Sequence, residues 1–231
     1  MFRAFFLLVS ALGCSSSSIS GDLEGATPSI VEAVFVESDQ EGAEDLLVLV
    51  ADFEGVCSRL REHQSAVSVA QSMLLTAESD EAFLAGAQAM EAADALLPEN
   101  FWLGRLALHR GSMGDSFVGA GLSGAAANAE VIEGFRVSFA HHRGYTDWVA
   151  CSEAWLSNPG GVDVCDYQWE SWISHGGEAR VLEYVAASDV GVEFSAPFRA
   201  MDVSTSEVLD EVGVLEGRIW AQWCGDLQIG G

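Results

Sequence analysis

Apolar residues along this chain change period twice. Ser29 to Ser38 (SIVEAVFVES) and Asp45 to Ala51 (DLLVLVA) are short runs rich in Val, Ile and Leu, as expected of strands, and the acidic, Gly-containing stretch 39–44 between them reads as a hairpin loop. From Cys57 to Leu97, Ala, Leu and Met recur at helical spacing. A break at Glu78-Ser79-Asp80, where Ser79 or Asp80 can cap a second helix that Pro98 closes, predicts two helices in an antiparallel or bent pair. The second half returns to a period of two. Phe101 to His109, Val131 to Ala140 and Arg180 to Ala186 are strand candidates, with Phe135, Val137 and Phe139 set against Arg136 and Ser138. Val192, Phe194, Ala196 and Phe198 alternate with Glu193, Ser195 and Arg199, and Val214 to Cys224 places Leu215, Gly217, Ile219, Ala221 and Trp223 on one face. The pattern predicts an α+β domain: a mostly antiparallel sheet of about five to seven strands, with a helical hairpin inserted after the first two. A parallel sheet needs crossover helices between its strands, and that alternation is missing.

The first residues follow a different logic. Met1 to Ser18 (MFRAFFLLVSALGCSSSS) opens on one arginine, continues as an apolar run from Ala4 to Leu12 that is too short for a permanent membrane span, and ends in small residues. This is the form of an export signal. Ala11-Leu12-Gly13-Cys14 resembles the lipobox of bacterial lipoproteins, in which the cysteine becomes the first mature residue and carries the lipid. The resemblance covers the first 14 residues, with Ala11 where that family usually has leucine. It implies a signal peptide over 1–13, an N-terminal lipid such as palmitate on Cys14, and, from Ser15, sorting to the outer membrane. Ala11 and Gly13 also fit the small-x-small rule of ordinary signal cleavage, which would release a soluble secreted protein. The serine tract then reads as a flexible tether over 14–28, ahead of a single domain over 29–231.

Cysteine count agrees with export. Of five cysteines, assigning Cys14 to a lipid leaves Cys57, Cys151, Cys165 and Cys224, whose wide spacing is unlike a zinc site and suits two disulfides in an oxidising compartment. Among the three pairings open to them, Cys151 with Cys165 closes a local Gly-rich loop, and Cys57 with Cys224 ties an early element to the last strand. That combination is preferred. Thirty-five acids against ten arginines, with no lysine, give a net charge of -25. Such a surface repels nucleic acid, so no nucleic-acid partner is expected.

No motif announces an active site. Gly119-Ala120-Gly121-Leu122-Ser123-Gly124 satisfies G-x-G-x-x-G, but it lacks the preceding strand and βαβ frame that put a dinucleotide on a helix N-terminus, so no dinucleotide or other cofactor is expected. Gly114-Asp115-Ser116-Phe117 resembles the opening block of GDSL-type esterases, yet no histidine has an aspartate three residues before it; Gly121-Leu122-Ser123-Gly124-Ala125 stops short of a G-x-S-x-G elbow. His141, His142, Asp147 and His175 are the nearest approach to a metal set. Adjacent residues of an extended chain point to opposite faces, so His141 and His142 are not expected to share an ion, and no metal is assigned.

The aromatic residues are the more unusual element. Tyr145, Trp148, Trp155, Tyr167, Trp169 and Trp172 crowd into the loop expected around 145–175, which also holds Cys151 and Cys165, with Glu153, Asp163, Asp166 and Glu170 among them. They form either a recognition surface for an envelope protein or glycan, or a small satellite core. Together these features describe an exported, outer-membrane, lipid-anchored protein acting as a non-enzymatic binding or structural module; the alternative is a small exported hydrolase without a recognisable motif. Replacing Cys14 by Ser is expected to abolish incorporation of labelled fatty acid and retention in the membrane fraction, and unchanged fractionation would refute the anchor.

Overall fold

The computed structural model describes residues 16–40, 43–109, 121–123, 134–158, 165, 167–225 and 227. The elements run β1 (Ser18–Gly21), β2 (Glu32–Gln40), β3 (Ala43–Ala51), α1 (Val56–Leu75), α2 (Asp80–Asp94), β4 (Phe101–His109), β5 (Gly121–Ser123), β6 (Phe135–His142), α3 (Trp148–Ser157), β7 (Trp169–Ser174), β8 (Glu178–Val185), β9 (Asp189–Met201) and β10 (Val208–Trp223). The class is α+β. Among the described residues the sheet holds ten strands in the order β1-β10-β2-β3-β4-β6-β7-β9-β8-β5, and an additional pairing of β9 with β10 closes seven of them into a ring.

Four expectations change. The sheet is larger than five to seven strands and is mixed, because Gln222 and Trp223 of β10 pair in parallel with Val34 and Phe35 of β2. The helical hairpin follows the third strand rather than the second. The extra strand is β1, in the stretch read as tether: Ser18 to Gly21 pairs antiparallel with residues 215–218, and Leu23 just beyond it is wholly buried. The 145–175 segment is also not a plain loop, since it contains α3 and β7.

Alternation explains the ring. Phe35, Leu106, Phe135, Val137, Phe139, Phe198, Leu215 and Ile219 point inward and fill the interior, so the ring is a packed core rather than a channel. Strands β2 and β3 are apolar on both faces because their outer residues Val34, Val36, Leu47 and Leu49 form a second cluster with Val56 at the start of α1. Strands β7 and β8 run in succession along one edge of β9, with Ser174 opposite Phe198 and Glu178 opposite Ser195. Gly177, at φ +100, makes the step between them; a Cβ there would lie 2.3 Å from the Ser195 carbonyl oxygen.

The helices start where local chemistry directs. Ser79 Oγ accepts the Ala82 N–H at 3.2 Å, with Asp80 and Glu81 in the first turn of α2, and Asp147 Oδ1 accepts the Ala150 N–H at 2.8 Å to begin α3. Two disulfides tie the layers. Cys57, at the start of α1, is bonded to Cys224 just past β10, and Cys151 of α3 to Cys165. The first closes a separation of 167 residues, for which chain-entropy reasoning gives at most about 5 kcal/mol.

Gly104 in β4 lets the Phe139 ring lie against the backbone: a Cβ there would be 2.3 Å from Phe139 Cε1 and 2.4 Å from Val50 Cγ2. Gly104→Ala is therefore expected to lower stability by about 1–3 kcal/mol through overpacking, read as a fall in the urea midpoint at unchanged m-value. An unchanged midpoint would show that the interior has slack.

Candidate functional site

Register assembles an aromatic seam at one end of the ring. In β4, β6 and β7, Trp102 lies opposite His141 and Phe101 opposite His142, which in turn faces Trp169. Successive residues alternate faces, so two stacks form. On one face Trp102 stacks on His141 (centroids 4.3 Å apart, 4° between planes) and on Trp172 at 5.2 Å. On the other, Phe101 stacks on His142 (4.2 Å, 5°), and Trp169, Tyr167 and Trp148 follow.

The helices close over the second stack through Asp94. Its Oδ2 accepts the Trp148 indole N–H at 2.7 Å, and its Oδ1 lies 3.4 Å from His63 Nε2. Glu91, one turn earlier, accepts the Val149 N–H at 3.1 Å, and the Tyr145 hydroxyl donates to the Leu97 carbonyl at 2.8 Å. These contacts pin α1, α2 and α3 together at the mouth of the ring.

Burial pushes the His142 imidazole down to about 4; Asp94 pulls the other way, while His63 and His141 add to the fall. His141 is also lowered, first by burial and then by Arg143. Arg143 Nε donates to His141 Nδ1 at 3.3 Å, so the imidazole proton sits on Nε2, where it meets Asn100 Oδ1 at 3.0 Å. Both rings are neutral at pH 7. They serve as flat stacking partners rather than as cations.

The six aromatics from 145–175 are divided, not gathered on one surface. Trp172 is 1% exposed inside the ring. Trp155, 52% exposed, stacks on Phe83 of α2, and Tyr145 and Trp148 are spent on helix contacts. Tyr167 and Trp169 line an open cleft of about 410 Å³, where Trp172 also forms part of the wall beside Glu24, Glu170, Asp202, Ser204 and Met201.

Comparison with known families, with curated proteins and with solved structures finds no match. The chemistry of the cleft has to be read from its own residues. Glu170 pairs with Arg143 at 2.6 Å. Glu24, held in the left-handed region at φ +54 in the turn closed between Leu23 and Ala26, accepts the Trp172 indole N–H at 3.1 Å. Asp202 is held down at about 2 by the Ser204 hydroxyl and by the N–H groups of Thr205 and Ser204. The cleft thus offers two tilted rings 4.9 Å apart and the carboxylates of Glu24, Glu170 and Asp202, of which Glu170 is paired with Arg143.

The residues weighed for metal do not converge. His141 and His142 face opposite ways, Asp147 caps α3, and His175 lies 3.5 Å from Glu211 on another part of the ring. Among the described residues no group of three or more His, Cys, Asp or Glu is placed to hold an ion. Cys14 and the segments 114–117, 119–120 and 124 lie outside the described residues, as do Asp163 and Asp166; 121–123 form β5.

The depressed His142 value carries a sign. Its ordinary value is 6.5, so as pH falls from about 6.5 to 4 the unfolded chain takes up a proton that the folded chain refuses, and folding is progressively weakened. Denaturation midpoints measured across that window are expected to drop more steeply for the wild type than for His142→Phe. Parallel pH profiles would show that His142 titrates normally.

Proposed function

We propose that this chain is an exported lipoprotein, anchored at the outer membrane through Cys14, whose ring presents the Tyr167–Trp169 cleft as a non-enzymatic binding site for a neutral glycan. The supporting observation is the pairing of half-buried ring faces with carboxylates in one concavity. Aromatic faces suit the apolar C–H faces of sugar rings, and carboxylates accept from hydroxyls. An excess of carboxylate over guanidinium disfavours anionic glycans. The concave shape favours a small polar chain over a flat protein partner. Two disulfide bonds accord with export to an oxidising compartment.

Trp169→Ala is expected to weaken binding of a soluble neutral oligosaccharide by about tenfold, the equivalent of 1.4 kcal/mol, in calorimetric titration. Trp155→Ala, on α3 and outside the cleft, is expected to leave it unchanged. Equal loss in both variants, or none in Trp169→Ala, would reject the cleft as the site.

A further inference from the structure

The stretch expected to be a leash is almost fully used by the fold. Ser17 Oγ accepts the Trp220 N–H at 2.9 Å and donates to the Trp220 carbonyl at 3.2 Å, and β1 begins at the next residue. Ser17 follows Cys14 by three residue steps, a reach of about 10–11 Å when extended. This step rests on the lipid-anchor reading above: with Cys14 in the bilayer surface, the outer face of β1 and β10 lies against the headgroups.

That face carries a trough of about 760 Å³ across β8, β9, β10 and β1. Two rows of cross-strand neighbours floor it. Arg180, Glu193, Arg218 and Ser18 form one row, and Glu178, Ser195, Glu216 and Ser20 the other. Rows two residues apart in a strand are separated by about 7 Å, and the two arginines by two strand spacings, about 9.5 Å. Arg218 Nη2 holds Glu193 Oε1 at 2.8 Å, while Arg180 has no partner among the described residues. In a chain with ten arginines against 35 acids, two cations in one concave patch beside the attachment point stand out.

We infer that the trough binds the zwitterionic headgroup of a phospholipid of the anchoring bilayer, with the phosphate between Arg180 and Arg218 and the ammonium towards Glu178 and Glu216. Arg180 and Arg218 flank Glu193 in one row and Glu178 and Glu216 lie in the next, so a headgroup carrying both charges finds partners for both, whereas a simple anion meets three carboxylates. Hydroxyls of Ser18, Ser20 and Ser195 supply donors to the remaining phosphate oxygens.

Arginine footprinting with phenylglyoxal on the full chain tests this. Added glycerophosphoethanolamine is expected to slow modification of Arg180 and Arg218 at least fivefold relative to exposed Arg199, and glycerol 3-phosphate to slow it markedly less. Glu178→Gln with Glu216→Gln is expected to erase that difference. No protection, or equal protection by the two compounds, overturns the inference. In phosphatidylethanolamine nanodiscs the same arginines are expected to be protected without added probe; exposure there, with lipid present on Cys14, also overturns it. Absence of lipid on Cys14 defeats the anchor instead, and the soluble probe still decides the trough.

Discussion

Strand β10 holds this molecule together because it meets both ends of the chain. One of its edges takes β9 along nearly the whole length; the other takes β1 over residues 215–218 and then β2 over 222–223. The parallel contact with β2 is only two residues wide, yet without it the seven strands are an open sheet. Its surroundings compensate. The Cys224 N–H donates to the Phe35 carbonyl at 2.9 Å, and the same residue is bonded to Cys57 at the foot of α1. Phe35 in turn packs on Trp223 and Tyr184, so the narrowest pairing in the ring is backed by backbone, disulfide and aromatic contacts at one place.

Much of the ring was legible as alternation. Strands β3, β4, β8 and β9 fall close to where apolar runs and alternation put them, and Ser79 does cap α2. What was missed has physical causes. Strand β1 is two serines, a glycine and Ile19, its one apolar residue, so composition pointed to a tether; its contribution is backbone pairing beside the Ser17 hydroxyl, which no periodicity records. A two-residue parallel contact has no sequence signature either. Strand β10 begins six residues before the expected Val214, in the stretch Val208 to Gly213, where bulges break the alternation.

The aromatic cluster was legible in part. Crowding between Tyr145 and Trp172 was visible, but its division among core, helix contacts and cleft depends on register. Register also brings in Phe101 and Trp102 from β4 and Glu24 from the β1 turn, none of which is near in sequence. Asp94 and His63 lay inside a helical pattern and drew no attention, although Asp94 joins α2 to α1 and α3. The opposed faces of His141 and His142, by contrast, follow from extended geometry alone.

The seam between β2 and β10 has a consequence for when the protein can exist as a folded object. The strands that complete the ring lie near opposite ends of the chain, and the cysteine beside the seam bonds to one 167 residues away. Until the last strand is available, the emerging polypeptide has no closed barrel to settle into, and non-local pairing of this kind forms slowly. Closure, and the disulfide that secures it, wait for β10, so the ring forms late however early its first strands pair.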